Sequence, residues 1–394
     1  MKTPLAIHLK AARLRLGWTL DELADKAGCV SKAMLSKYEL GASMPSRDVL
    51  CRLCDVLDVS PKALLTENTI KIDFVAFRKS QRLPSREASR IQADVEWRLR
   101  HRWDLMRILG ESPGLRPFPR YNTGAASEAE AHASALRAEW NLGNGPLPNL
   151  TNLLEDHGFE VVVVKANGAF SGVSAWVDDI HPVIVVQHRE KDGARQRMDL
   201  AHELAHLVGN PSEKAEEEED YAKLFAGAFL FPDFAVRREF PVRRNRITLA
   251  ELKGIKAKYG ISFEATLYRL RERGVLSKEG YSWWYEVGHI RKKDMSEPFV
   301  LVEAPTHPVA LASRALMEGL VGIKELEEGR DVAVADLKEQ APKPRETLQQ
   351  KFLRMSHAQR RQVMREESTR LAEHLATHPE DILPDITDGD VDQP

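Results

Sequence analysis

The sequence predicts an α+β chain that is mainly helical, with an amino-terminal five-helix segment, a central domain whose helices enclose a small sheet, and a helical tail. Three observations predict it. Short, capped apolar periodicities fill Pro4 to Leu65. The β-branched runs Phe159 to Lys165 and Pro182 to Gln187 have strand length. The order His202-Glu203-Leu204-Ala205-His206 lies in an apolar stretch that Gly209-Asn210-Pro211 ends.

The chain has 394 residues, 43% hydrophobic and 29% charged, enough for two or three globular units. A formal net charge of only -2 excludes a polyelectrolyte, so any nucleic-acid surface must be local. No apolar run has the length of a signal peptide or a membrane span, and a cytoplasmic protein without a membrane partner is expected. Cys51 and Cys54 form a Cys-x-x-Cys without a second pair. On a helix both would face inward, which points to core packing rather than zinc or redox chemistry.

Residues 1–70 read as five short helices. Ile7, Leu9, Leu14 and Leu16 support the first, and Gly17 closes it. Thr19 caps the second, with Glu22 at the capping-box position. Gly28-Cys29-Val30 is a tight turn, Ser31 caps the third helix and Gly41 ends it. Two short helices joined in this way form a helix-turn-helix unit. Its second helix would enter the DNA major groove with Ser31, Lys32, Ala33, Met34 and Lys37 on the outer face. The segment resembles the XRE (Cro/CI-like) family through Thr19 to Ala24, Tyr38-Glu39-Leu40-Gly41 with Met44-Pro45-Ser46, and Leu57-Asp58-Val59-Ser60-Pro61. The resemblance implies a double-stranded DNA operator, and the class usually acts as a homodimer on two half-sites. It departs from the family at Leu20, where a polar residue that supports backbone contact is common.

Residues 71–122 read as a basic helical connector. Lys71 to Arg120 holds twelve Lys or Arg against six Asp or Glu. After Pro84, an amphipathic helix carries a stripe of Ile91, Val95, Leu99, Met106 and Leu109, with Arg90, Arg98, Arg100, Arg102 and Arg107 on the remainder. A solvated connector packed on one side is expected; phosphate contact is the alternative.

Residues 123–298 carry the chemistry. An alanine-rich helix from Ser127 to Leu142 and a second from Asn149 to His157 precede the strands, and the Gly168 to Trp176 segment adds a third strand. Val183 to Val186 is the candidate edge strand for an extended substrate. On the helix that follows, His202 and His206 lie four apart and can offer both imidazoles to one metal ion, while Glu203 can reach a metal-bound water. Zinc then lacks one protein ligand, and the run Glu216 to Asp220 opens the next helix. Glu219 shares the face of Ala222, Phe225, Ala226 and Phe229, which favours it as the ligand over Glu218 or Glu216. His181, His188, Tyr221 and Tyr259 are candidates to stabilise an oxyanion.

From about Ser127 to Pro298 the sequence resembles the ImmA/IrrE family of zinc metallopeptidases, which implies a zincin-like fold. The matching pieces are Gly145-Pro146, Leu154-Glu155 and Gly158, the strand Pro182-Val-Ile-Val-Val, Arg197 ahead of Leu200 to His206, Glu219 to Ala222, Phe225-Ala226, and Phe231-Pro232. Gly274 to Ser277, Tyr281 and Arg291 to Pro298 match its helical tail. The resemblance implies zinc bound by His202, His206 and Glu219, Glu203 as general base, and a helix-turn-helix repressor as substrate. Lys223 departs from the family, which usually has Asp or Asn there to orient a ligand histidine.

Residues 299–378 read as helical, with Leu301 to Asp336 and a charged amphipathic helix from Arg345 to Thr377. Residues 379–394, with six carboxylates and no base, read as a disordered tail. Together these features lead to a DNA-binding regulator with a zinc endopeptidase that cuts itself or a partner. The alternative is a non-proteolytic repressor or antitoxin-like regulator in which the metallopeptidase fold senses or binds a partner. A stand-alone peptidase whose first domain docks substrate is a third reading.

Overall fold

Five capping side chains start the first five helices. Thr3, Thr19, Ser31, Ser46 and Ser60 each accept a backbone N–H at the head of α1 (Pro4–Arg15), α2 (Leu20–Ala27), α3 (Lys32–Leu40), α4 (Arg47–Leu57) and α5 (Pro61–Leu65). Thr19 and Glu22 complete the reciprocal capping box, and Gly28 and Gly41 end α2 and α3 in the left-handed conformation. Leu5, Leu9, Leu23, Leu35, Leu53, Leu57 and Leu64 fill the core of this bundle. The buried line of α1 therefore runs through Leu5, Leu9 and Ala12, whereas Ile7, Leu14 and Leu16 are only half-buried. Cys54 is buried but Cys51 is exposed, so only one of the two thiols faces inward. Arg13 donates twice to Glu39 at 2.7 Å and once to the Trp18 carbonyl at 2.6 Å, which ties α1 to the end of α3 inside the bundle.

The computed structural model describes residues 3–67, 70–75, 84–112, 117–122, 124–166, 170–210, 214–286 and 298–332, and the single positions 337, 359, 362, 365 and 369. Residues 1–341 form one compact unit and residues 342–394 a second. In the second, the four described positions are helical, and Thr369 Oγ1 donates to the Arg365 carbonyl at 2.9 Å. The other residues of the expected Arg345 to Thr377 helix, the acidic tail and Arg291 to Glu297 lie outside the described residues.

After the bundle comes β1 (Ile72–Phe74), a strand inside the stretch that the sequence reads as connector. α6 (Ser85–Ile108) follows and is no solvated connector. Its Ile91, Val95 and Leu99 pack under the sheet, Trp97 enters the core of the bundle, and Leu105 joins a carboxy-terminal cluster. The arginines are engaged within the protein. Arg90 donates to Glu87 and the Lys165 carbonyl, Arg98 pairs with Asp94, Arg102 with Glu160 and Asp331, and Arg107 with Asp104. Arg100 lies over the Trp97 ring, and burial lowers its guanidinium to about 10. Three cores cover most of this helix, and its exposed positions are at the two ends, Ser85 and Arg86 at one and Arg107 and Ile108 at the other.

A 3-10 turn at 126–128 leads into α7 (Ala129–Glu139), and Asn149 caps α8 (Leu150–Asp156). Then come β2 (Glu160–Val164), β3 (Gly172–Val177) and β4 (His181–Gln187). The sheet order is β1-β3-β4-β2, with β2 parallel to β4 and the other two pairs antiparallel. β4 is thus an interior strand, which overturns Val183 to Val186 as the substrate edge. Its alternation shows why: Val183 and Val185 pack toward α6, and Ile184 and Val186 toward the helix that follows, so both faces are buried.

That helix is α9 (Gly193–Val208), paired with α10 (Ala215–Leu230); α11 (Asp233–Glu239), α12 (Leu249–Tyr259), α13 (Phe263–Glu272) and α14 (Lys278–Glu286) complete the main core. Residues 298–306 belong to neither a helix nor a strand. Here Glu303 binds Arg197 and the Thr151 N–H, and Gln196 exchanges two hydrogen bonds with the Glu303 backbone at 2.7 Å. α15 (His307–Met317) and α16 (Ile323–Gly329) then pack on α6. Near the end of α16 the Glu328 carbonyl accepts the Trp97 indole N–H at 2.8 Å, and its carboxylate accepts the Ser60 hydroxyl at 2.8 Å. The carboxy-terminal helices thereby clasp both α6 and the amino-terminal bundle.

Candidate functional site

Asp192 caps α9 by accepting the Arg195 N–H, and the helix then runs buried for most of its length beneath β3 and β4. His202 and His206 project from one face, and α10 brings Glu219 against them. The Nε2 atoms of His202 and His206 are 3.2 Å apart, while the Glu219 carboxylate lies 3.5 Å from the first and 3.6 Å from the second. With zinc–donor bonds of roughly 2.0–2.2 Å, tetrahedral donors stand roughly 3.3–3.6 Å apart. The three groups therefore fit a zinc ion, and among the described residues they form the one cluster able to hold a metal. The His206 side chain is 3% exposed, His202 21% and Glu219 50%, so the cluster opens to solvent on the Glu219 side, as a catalytic rather than a closed structural site requires. Hydrogen bonding to His202 holds the Glu219 carboxyl down at about 2.

Glu203 points under β3. A Cβ on Gly172 would come 2.8 Å from Glu203 Oε1, so only glycine fits above the carboxylate. Burial pushes the Glu203 carboxyl up to about 7, with His206 opposing and Glu219 and Asp199 adding to the rise. One further carboxylate belongs to the cluster. Glu218 Oε1 lies 3.2 Å from His206 Nδ1, on the opposite side of the ring from Glu219. In sequence Glu218 stands only as an alternative ligand; its burial among exposed neighbours Glu216, Glu217 and Glu219 is a pattern that the run of glutamates does not display.

Three of the four oxyanion candidates contact other side chains. Tyr221 bonds His132 Nδ1 at 3.0 Å, Tyr259 donates to Glu239 at 2.9 Å, and His181 stacks edge-on against Trp103 at the end of β4 opposite the Gly172–Val186 pair. His188 follows β4, where its backbone N–H donates to the Val164 carbonyl. Lys223 is exposed, 3.7 Å from Asp220.

In the amino-terminal bundle, Ser31, Lys32, Ala33 and Lys37 are exposed on α3, but Met34 is half-buried and packs toward the core, which removes it from the outer face. Lys32 Nζ is held by Asp21 at 2.7 Å, both exposed. Leu20 is half-buried against the same core, so an apolar side chain there serves packing.

The fold joins a bundle of short capped helices to an α+β domain that carries the His202, His206 and Glu219 cluster. The helix-turn-helix family model matches residues 9–64, and that of the IrrE N-terminal-like domain, of the M78 peptidases, matches residues 154–271. The chain joins an XRE-type helix-turn-helix region to an IrrE N-terminal-like region. No curated protein matches the chain. No helix among the described residues is long and apolar enough to cross a membrane.

Proposed function

We propose that this protein is a DNA-binding regulator with a zinc-dependent endopeptidase that cuts a repressor-type protein, itself or a partner, to change gene expression. The observation that carries the reading is the convergence of His202, His206 and Glu219 within 3.2 to 3.6 Å, beside the buried Glu203. Zinc held by these donors would supply an acidified water and polarise the scissile carbonyl. The Glu203 carboxylate takes the proton released on attack and returns it to the leaving amine nitrogen. Gly172 leaves it the space to do so. An extended peptide would pair with the outer edge of β3 at Gly172 and Val173, which lie beyond the last β1 pair, Phe74 with Ala175. Ser31, Lys32, Ala33 and Lys37 would meet the operator.

The test is metal content of the natural chain beside His202→Ala, followed by incubation of loaded protein with helix-turn-helix proteins. About one zinc per chain, lost in the variant, and a discrete product abolished by chelation are expected. A natural chain that takes up no zinc would sink the peptidase. The second reading, a regulator that binds a partner without cutting it, is favoured by β1, because the chain's own strand occupies most of the β3 edge that a substrate would use. Zinc uptake without any cleavage product would select it.

A further inference from the structure

We infer that Glu218 is a positioning residue, whose carboxylate fixes His206 in the tautomer that leaves Nε2 free for a metal. The inference rests on the metal-site reading above and adds a residue to it. His206 Nδ1 and Glu218 Oε1 are 3.2 Å apart, with side chains only 3% and 8% exposed. An ionised carboxylate is an acceptor only, so the ring nitrogen that faces it carries the hydrogen. A neutral imidazole has one such hydrogen, and Nε2 is therefore bare. That is the nitrogen turned toward His202 Nε2 at 3.2 Å and Glu219 Oε1 at 3.6 Å.

Consecutive glutamates thus lie on opposite sides of one ring, Glu218 within hydrogen-bond distance of Nδ1 at 3.2 Å and Glu219 beyond it from Nε2 at 3.6 Å. Their divergence is a property of the helix, which turns about 100° per residue, so Glu218 enters the α9–α10 interface while Glu219 stays at its open margin. Burial would be costly for an isolated carboxylate. Glu218 offsets it through the ring N–H and through its place in the first turn of α10, where the helix dipole favours negative charge. Glu216 and Glu217 share that turn but are exposed, and Glu217 pairs with Lys214, so the helix start alone does not explain why Glu218 is drawn inward. Lys223, from the next turn, pairs with Asp220.

The experiment uses the full chain with labelled histidine, zinc alone as the probe, and the variants Glu218→Ala and Glu218→Gln. Nitrogen–proton correlation spectra of metal-free protein report the His206 tautomer, and chelator competition reports zinc affinity. The natural chain is expected to carry its proton on Nδ1. Glu218→Ala should lose that preference and bind zinc about 10–100-fold more weakly, whereas Glu218→Gln, which keeps an acceptor oxygen, should retain the tautomer and most of the affinity. A folded Ala variant with the natural tautomer and affinity within about twofold overturns the inference. Should Glu218→Ala fail to fold, a proton on Nε2 in the natural chain overturns it equally. A natural chain with the expected tautomer that takes no zinc defeats the metal reading while leaving the Glu218–His206 bond demonstrated.

Discussion

Gly172 of β3 lies directly over the carboxylate of Glu203 in α9: a methyl group at that position would come 2.8 Å from Oε1, 2.9 Å from Cγ and 3.0 Å from the Val185 carbonyl. Backbone and carbonyl cannot retreat, so the glutamate must. Gly172→Ala is expected to destabilise the fold by about 1–3 kcal/mol, as overpacking does, in urea unfolding. In a double-mutant cycle, Glu203→Ala should recover a good part of that loss. Strict additivity of the two changes would show that the strand does not seat the carboxylate.

Glu203→Gln keeps the shape of the side chain but cannot take a proton. On the peptidase reading it retains a full complement of zinc and loses cleavage by about 10²–10⁴-fold. Equal activity in the Gln variant would assign the proton transfer elsewhere, and loss of zinc would mean that Glu203 supports the ligands rather than the reaction.

The features that the sequence made legible are the local ones. Thr19 with Glu22, and His202 with His206, are fixed by three- and four-residue spacings that a helix enforces wherever it sits. Glu219 required one further step, the apolar face of Ala222, Phe225, Ala226 and Phe229, all of which are buried. Pairing is not local. The β-branched run identifies Val183 to Val186 as a strand, yet nothing within it says that β2 and β3 flank it on both sides. β1 has only three residues and a charged neighbourhood, so its place beside β3 depends on a partner a hundred residues away. In α6 the arginines disguise burial, because Arg102 reads as a solvated position until Glu160 and Asp331 come from elsewhere to meet it.

The arginines of α6 also bear on DNA binding. Since they are spent on internal partners, the salt dependence should come from α3. Lys37→Ala is expected to weaken operator binding at all sequences and to lower the slope of log K against log salt by about one. Arg107→Ala, which removes the most exposed arginine of the α6 set, should leave the slope unchanged. A fall with Arg107→Ala instead would return α6 to the phosphate surface.

His101 offers a test of how the carboxy-terminal helices are held. Its ring on α6 lies against the backbone of Gly329, at the end of α16, and its buried Nε2 has no hydrogen-bond partner among the described residues. Burial lowers its pKa, against the pull of Asp331 and Asp104. In the unfolded chain the group titrates near about 6.5. Between that value and the depressed folded one, the unfolded state binds the proton and the folded state does not, so stability rises with pH through this window. It is fully present above about 6.5 and is lost as the pH falls toward the folded pKa, with a slope of at most about 1.4 kcal/mol per unit for one proton. Denaturant midpoints taken between pH 7.5 and 5 should therefore fall, and His101→Gln should flatten part of that fall. Because Glu328 and Gly329 are adjacent, acid that charges the ring should also loosen the bond from Trp97 to the Glu328 carbonyl, read as a change in Trp97 fluorescence that the Gln variant lacks. Identical pH profiles for the two proteins would place the acid sensitivity at other histidines and leave the α6–α16 contact insensitive to protonation.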